Sequence, residues 1–389
     1  MHRGSRIFSG RPVAAVFAAL IGLTGLAAQT AAQELKLGIT ITTTGPAAAL
    51  GIPQKNTLTI LPETIGGLKL KVVQLDDGGD PATATTNARR LIGEDKVDVL
   101  LGSSTTPPSN AVAGVAFEAG VLHFALGPTV FQPGREKWSV VMPQPVSLMA
   151  KAIFGHMAKS NVKTVGLIGF ADSWGDLWVK SFKDIAEPLG LKLVAEERYA
   201  RADTSVAGQA LKLVAAKPDA VLVAASGTGA ALPQVALKER GFAGGIYQTH
   251  GAVSRDFIRI AGKSAEGAIL ASGPVMTVEQ QADSALTKAP GLAYVQAYEA
   301  KFGKETRTQF GAHMWDAVKV LERIVPVALK TAQPGTPEFR EALRLALLSE
   351  KDIAASQAVF NFTETDRYGV DERARVLITV KDGNFELVK

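Results

Sequence analysis

Four hydroxyl side chains in a row, Ser103, Ser104, Thr105 and Thr106, are the residues of this 389-residue chain best suited to hold a small anion. They lie between the end of an apolar strand and the start of a helix. Hydroxyls and backbone N–H groups at such a junction, aided by the helix N-terminus, can bind a carboxylate. The same residue types also cap helices, and the sequence leaves both roles open. Trp174, within "GFADSWGD" (169–176), follows a strand by a few residues and either faces a ligand or packs.

Catalytic chemistry finds less support. The five histidines, His2, His123, His156, His250 and His313, lack metal-ligand spacing, and there is no cysteine. Ser173 is preceded by Asp172 and Ala171, so the loop is not a nucleophile elbow. Asp76 and Asp77 are adjacent on a strand end, which sends them to opposite faces, and a capping or turn role before Asp80 fits them better. "SGTGAAL" (226–232) follows a strand and opens a helix but carries two of the three glycines of a dinucleotide loop. The expectation is a binding protein, not an enzyme, with no cofactor and no metal.

The elements that must position these residues alternate between strand and helix. Strands are expected at 35–41, 68–75, 97–101 and 121–126, and helices at 82–92 and 110–119, with Pro53 opening a short helix that Pro62 closes. The rhythm restarts with strands at 165–170, 191–199, 220–224 and 245–249 and helices at 177–189, 206–216 and 231–240. This is an α/β pattern of two doubly wound, mostly parallel sheets, hence two lobes. Such sheets bind ligands beyond the carboxyl ends of their strands, in a cleft lined by strand-to-helix loops.

The N-terminus says where the chain works. Arg3, Arg6 and Arg11 precede a 14-residue apolar run, Val13–Leu26, and the small residues Thr30, Ala31 and Ala32 follow, the plan of a secretory signal cleaved near Ala32. A membrane-spanning helix needs about 20 apolar residues. The expected product is a periplasmic chain of 357 residues. Its leader holds three of the 42 basic residues and none of the 37 acidic ones, so the remainder carries 39 against 37, or +2. Nucleic acid is therefore not an expected partner.

At the cleft loops the chain resembles a known family. "TTTGPAAALG" (42–51), "QLDDGGDPATATTNARRLI" (74–92), "GSSTTPPSNAV" (102–112), "DSWGDLWVKSF" (172–182), "SAEGAIL" (264–270) and "NFTETDRYG" (361–369) resemble, in order and spacing, the type I periplasmic binding proteins of the branched-chain amino acid transport group, which serve ABC importers. The "GSSTTP" loop is similar to members that bind aromatic carboxylates. The resemblance implies a signal at 1–32, lobe 1 from 33–144 plus 274–358, and lobe 2 from 145–273 plus 359–389. It also implies a three-strand hinge near Met142–Pro145, Ser272–Val275 and Ala358–Phe362, a monomer, and a membrane permease as partner.

By position, the resemblance places the carboxylate loop on Ser103, Ser104, Thr105 and Thr106, a second contact loop on Gly127 and Thr129, and a stacking aromatic on Trp174. A later aromatic of amino-acid binders falls near Ser226, where a small residue leaves room. Those binders also carry an acidic partner for the ligand's ammonium group after the strand at 245–249. Here His250 stands at or next to that place, and nothing acidic occurs between Gly244 and Arg255. A buried ammonium without such a partner costs several kcal/mol. The implied ligand is a carboxylate without an ammonium, an aromatic acid or aromatic 2-oxo acid. A branched-chain amino acid carrier and a periplasmic sensor are the alternatives. Phe310, ahead of Phe131, Phe170, His313 and Trp315, is the expected further contact to the ring.

Overall fold

The computed structural model describes residues 33–388. The signal segment and its cleavage site lie outside the described residues. Strands β1 (Glu34–Ile41), β2 (Thr64–Ile65), β3 (Leu68–Asp76), β4 (Val99–Gly102), β5 (Leu122–Ala125) and β6 (Ser139–Val141) form a first sheet in the order β2-β3-β1-β4-β5-β6, with β2 its antiparallel member. Helices α1 (Ala48–Leu58), α2 (Pro81–Gly93) and α3 (Thr106–Ala119) connect its strands. Leu35, Leu37, Ile39, Val99, Leu101 and Phe124 are fully buried, as apolar runs in a parallel sheet covered on both faces must be.

After α4 (Val146–Lys159), a second sheet begins. It comprises β7 (Thr164–Phe170), β8 (Lys192–Tyr199), β9 (Ala220–Ala224), β10 (Gly245–Gln248) and β11 (Ile269–Ser272), all parallel, connected by α5 (Ser173–Ser181), α6 (Ala207–Ala215), α7 (Ala231–Glu239) and α8 (Arg255–Ala261). Helices α9 (Lys288–Phe302), α10 (Gln309–Ala328) and α11 (Pro337–Ser349) and a short hairpin, β12 (Ile353–Ala354) with β13 (Val359–Phe360), follow. The antiparallel strands β14 (Val376–Lys381) and β15 (Asn384–Leu387) complete the second sheet, in the order β15-β14-β11-β10-β9-β7-β8. The result is the expected pair of doubly wound lobes.

Two boundaries differ from expectation. Residues 359–374, expected in lobe 2, put Phe360, Phe362 and Ala374 into the first core, where the two rings stack at 5.3 Å. The chain passes to the second sheet only at Ala374–Val376. Val275, Met276, Val278, Tyr294 and Tyr298, expected in lobe 1, are contiguous with the second core. Helix α10 belongs to both, with Ala312 and Trp315 in the second core and Met314 and Ala317 in the first.

Two helix starts are also earlier than the proline pattern suggests. Helix α1 begins at Ala48 and carries Pro53 inside it, and Gly51 lets it press on the loop after β1, since a Cβ there would lie 1.8 Å from the Thr42 carbonyl oxygen. Helix α3 begins at Thr106, with Pro107 and Pro108 in its first turn, where a missing N–H costs no helix bond.

Candidate functional site

Both sheets reverse strand order at a topological switch, between β1 and β4 in one and between β7 and β9 in the other. The loops after these strands meet around a narrow cavity of about 30 Å3. Leu50, Ser104, Thr105, Thr106, Leu126 and Pro128 line it from lobe 1. Trp174, Arg201, Ser226, His250 and Gly251 face them from lobe 2, and Phe310 and His313 come from the start of α10. The lobes touch beside it, since a Cβ on Gly227 would lie 2.7 Å from Leu50 Cδ1.

The hydroxyl row divides into two structural and two free members. Ser103 is fully buried outside the cavity lining, and its Oγ donates to Asp77 Oδ2 at 2.6 Å. Asp77 also accepts from Thr40 Oγ1 at 3.0 Å, Thr42 Oγ1 at 2.7 Å and the Gly79 N–H at 3.0 Å, so it ties the β1, β3 and β4 loops together. It also forms the expected turn before Asp80, whose N–H donates to the Asp77 carbonyl at 2.9 Å, so the same residue makes both the turn and the junction. Ser104 Oγ donates to Gln54 Oε1 at 2.6 Å and accepts the Thr42 N–H at 2.9 Å. Thr105 is the N-cap of α3 but makes no side-chain capping bond, and the buried Thr106 hydroxyl has no partner. Capping therefore does not account for these last two.

Gly127 and Thr129 do not line the cavity. A Cβ on Gly127 would lie 2.8 Å from the Thr105 carbonyl carbon, so this glycine lets its loop press on the N-cap. Thr129 Oγ1 turns back to donate to the Gly127 carbonyl at 2.9 Å, which leaves Leu126 and Pro128 as the loop's cavity-facing members.

On the facing wall, Arg201 is the residue the sequence reading missed. Its Nε donates to Asp172 Oδ2 at 2.6 Å, its Nη1 donates to Ser226 Oγ at 2.9 Å, and its guanidinium lies 4.2 Å from the Phe170 ring centroid. The room expected beside Ser226 is filled by this side chain. Asp172 in turn accepts the Trp174 N–H at 2.9 Å, so one carboxylate orients both the guanidinium and the indole loop. The available signal was a basic residue two places beyond the end of β8.

Trp174 both packs and lines the cavity, edge-on to His250 at 5.2 Å. His250 is 2 % exposed, which excludes a solvated loop position. Burial pushes His250 and His313 down to about 3, so both imidazoles are neutral at neutral pH. Phe310 sits in the first turn of α10, after the Thr308 cap. Phe131 lines a separate open groove with Leu177 and Lys180, Phe170 lies under Arg201, and Trp315 is core.

Thr106 Oγ1, Trp174 Nε1, both ring nitrogens of His250 and His313 Nδ1 are buried without partners, and all five belong to residues lining this one cavity. Each such orphan costs about 1–3 kcal/mol until something bonds it. The lining contains one charged side chain, Arg201, and neither Asp nor Glu. Among the described residues no group of three or more His, Asp or Glu side chains could hold a metal ion, and no helix is long and apolar enough to cross a membrane.

Two lobes enclosing a cleft of unsatisfied hydrogen-bonding groups define a solute-binding protein. Residues 34–367 match the periplasmic binding protein family model, and the chain belongs to that family. It is 64 % identical to an extracellular ligand-binding receptor from Rhodopseudomonas palustris HaA2, covering 92 % of this chain and all of that one with a TM-score of 0.91. It is 26 % identical over 375 residues to Leu/Ile/Val-binding protein homolog 7 of Brucella abortus, covering 89 % of each. A solute-binding protein of an R. palustris ABC transporter, solved in complex with benzoate, has the same fold at 20 % identity, with a TM-score of 0.78 over 91 % of this chain and 95 % of that one.

Proposed function

We propose that the chain is the periplasmic solute-binding component of an ABC importer, exported by way of residues 1–32, and that it captures a small carboxylate without transforming it. An aromatic acid or aromatic 2-oxo acid fits best. One observation carries this reading: the cavity holds a single cation, Arg201, opposite the free hydroxyls at the start of α3, and no carboxylate to receive an ammonium. Trp174 and Phe310 supply aromatic walls for a ring, and the neutral His250 and His313 suit an uncharged oxo or hydroxy group.

Mechanically, a ligand that touches both walls bonds orphaned groups on each, and it therefore favours the arrangement in which the walls are close. Passages at Met142–Pro145, Ser272–Pro274 and Ala374–Val376 form the joint in this reading, and a permease reads the closed form. Benzoate, benzoylformate and phenylpyruvate are expected to raise the melting temperature of the purified protein, while leucine and valine leave it unchanged. Stabilisation by leucine or valine alone would overturn the ligand class, and chemical turnover of any acid would overturn the carrier role.

A further inference from the structure

Behind the cavity, buried amides gather where the lobes join. Gln309 is fully buried in the first turn of α10 and Gln357 at the tip of the β12–β13 hairpin. The tip is clamped to α10 by Asp316, whose Oδ1 accepts from the Ser356 N–H at 2.8 Å and Ser356 Oγ at 2.6 Å, and whose Oδ2 accepts from the Gln357 N–H at 2.9 Å. This grip aims the Gln357 side chain at two acceptors. Its Nε2 lies 3.4 Å from the Gln309 carbonyl oxygen and 3.2 Å from His313 Nε2. A carbonyl can only accept, so the Gln357 nitrogen end is fixed as the donor. His313 Nε2 must then accept, and the single proton of the neutral ring falls on Nδ1. That nitrogen is buried, has no partner, and belongs to a cavity-lining residue. The same Gln357 side chain stands over Gly273, where a Cβ would lie 2.2 Å from Gln357 Oε1 and 2.6 Å from Gln144 Nε2.

We propose that Gln357 is a positioning residue: held by Asp316 and wedged against Gly273 at the joint, it fixes His313 as the tautomer that presents an Nδ1–H donor to the ligand. A donor fixed from behind in this way selects ligands with an acceptor oxygen at that point of the cavity and rejects those with a second donor there. The Gly273 contact ties the orientation of this donor to the joint, so ligand contact and closure share one side chain. This inference rests on the proposed ligand site only for its consequence, since the tautomer is a property of the unliganded protein.

The test is nitrogen-detected NMR of the histidine rings in the mature protein at pH 7, without ligand and with benzoate. Without ligand, the wild-type His313 signals are expected to show one neutral tautomer protonated at Nδ1. In Gln357→Met, which keeps the bulk and removes the amide, they are expected to show exchange between both tautomers. Benzoate affinity in that variant should fall about tenfold with the melting temperature of the free protein little changed. Protonation at Nε2 in the wild type overturns the proposal whether or not Gln357→Met folds, and so does an unaltered Nδ1–H tautomer in a folded variant. A wild-type Nδ1–H ring that does not respond to benzoate leaves the tautomer assignment standing and counts against the ligand site instead.

Discussion

Replacing Arg201 by Met isolates the charge on which the ligand assignment turns. The guanidinium commits its Nε hydrogen to Asp172 and one Nη1 hydrogen to Ser226, which leaves both Nη2 hydrogens and the second on Nη1 for a ligand carboxylate. One charge-assisted hydrogen bond in a desolvated site contributes about 1.5–3 kcal/mol, which is roughly a 10- to 150-fold change in Kd. A two-pronged clamp through Nη1 and Nη2 would give more. Folding should survive the change. Arg201 and Asp172 side chains are 20 % and 19 % exposed, which limits their ion pair to about 1 kcal/mol, and Asp172 still caps α5 through the Trp174 and Gly175 N–H groups. Arg201→Lys retains the charge but cannot reach Asp172 and Ser226 with a planar fork, so an intermediate loss is expected. Isothermal titration with benzoate, alongside thermal melting of each variant, measures both quantities. A Kd for Arg201→Met within about twofold of wild type, in a protein that melts normally, would refute the reasoning.

Three further outcomes follow from the same geometry. Thr106→Val removes an orphaned buried hydroxyl, so titration should show benzoate binding weakened by about 1–2 kcal/mol while the free protein is no less stable in urea. Gly127→Ala drives a Cβ against the Thr105 backbone, and urea unfolding should show a loss of about 1–3 kcal/mol together with weaker binding, although Gly127 itself does not line the cavity. Burial depresses His123 to about 4 and His250 and His313 to about 3. The unfolded chain takes up these protons first, so the stability contributed by the neutral rings is complete above pH 6.5 and declines as pH falls towards 4 and 3. The decline is about 2 kcal/mol per ring by pH 5, and His250→Asn with His313→Asn should flatten about two thirds of it in urea titrations. Asp316, raised by burial to about 7, acts in the opposite sense, losing stability as pH rises from 4 to 7.

The sheets were legible because buried parallel strands are short apolar runs between turn residues, as in Val99–Gly102 and Ala220–Ala224. The hydroxyl loop was legible because strand-to-helix junctions at a switch point face the cleft. Which hydroxyls were free was not, because that depends on Asp77 and Gln54, which are distant in sequence and brought in by β3 and α1. Thr129 turns away from the cavity because the Gly127 carbonyl captures its hydroxyl. Arg201 was hidden for the complementary reason. It follows β8, an edge strand, and reaches the cleft only by lying across Phe170 of the neighbouring β7. Sequence spacing carries no record of such sideways adjacency. The segment 359–374 was misplaced because nothing local distinguishes which of two cores will take Phe360 and Phe362.

The most direct measurement is isothermal titration of the purified protein with ligand pairs that differ only at the α-position: phenylpyruvate against phenylalanine, and benzoylformate against phenylglycine. An acid-free cavity with a single arginine should bind the oxo acid of a pair at least 100-fold more tightly than its ammonium counterpart. Equal or tighter binding of phenylalanine or phenylglycine would contradict the account.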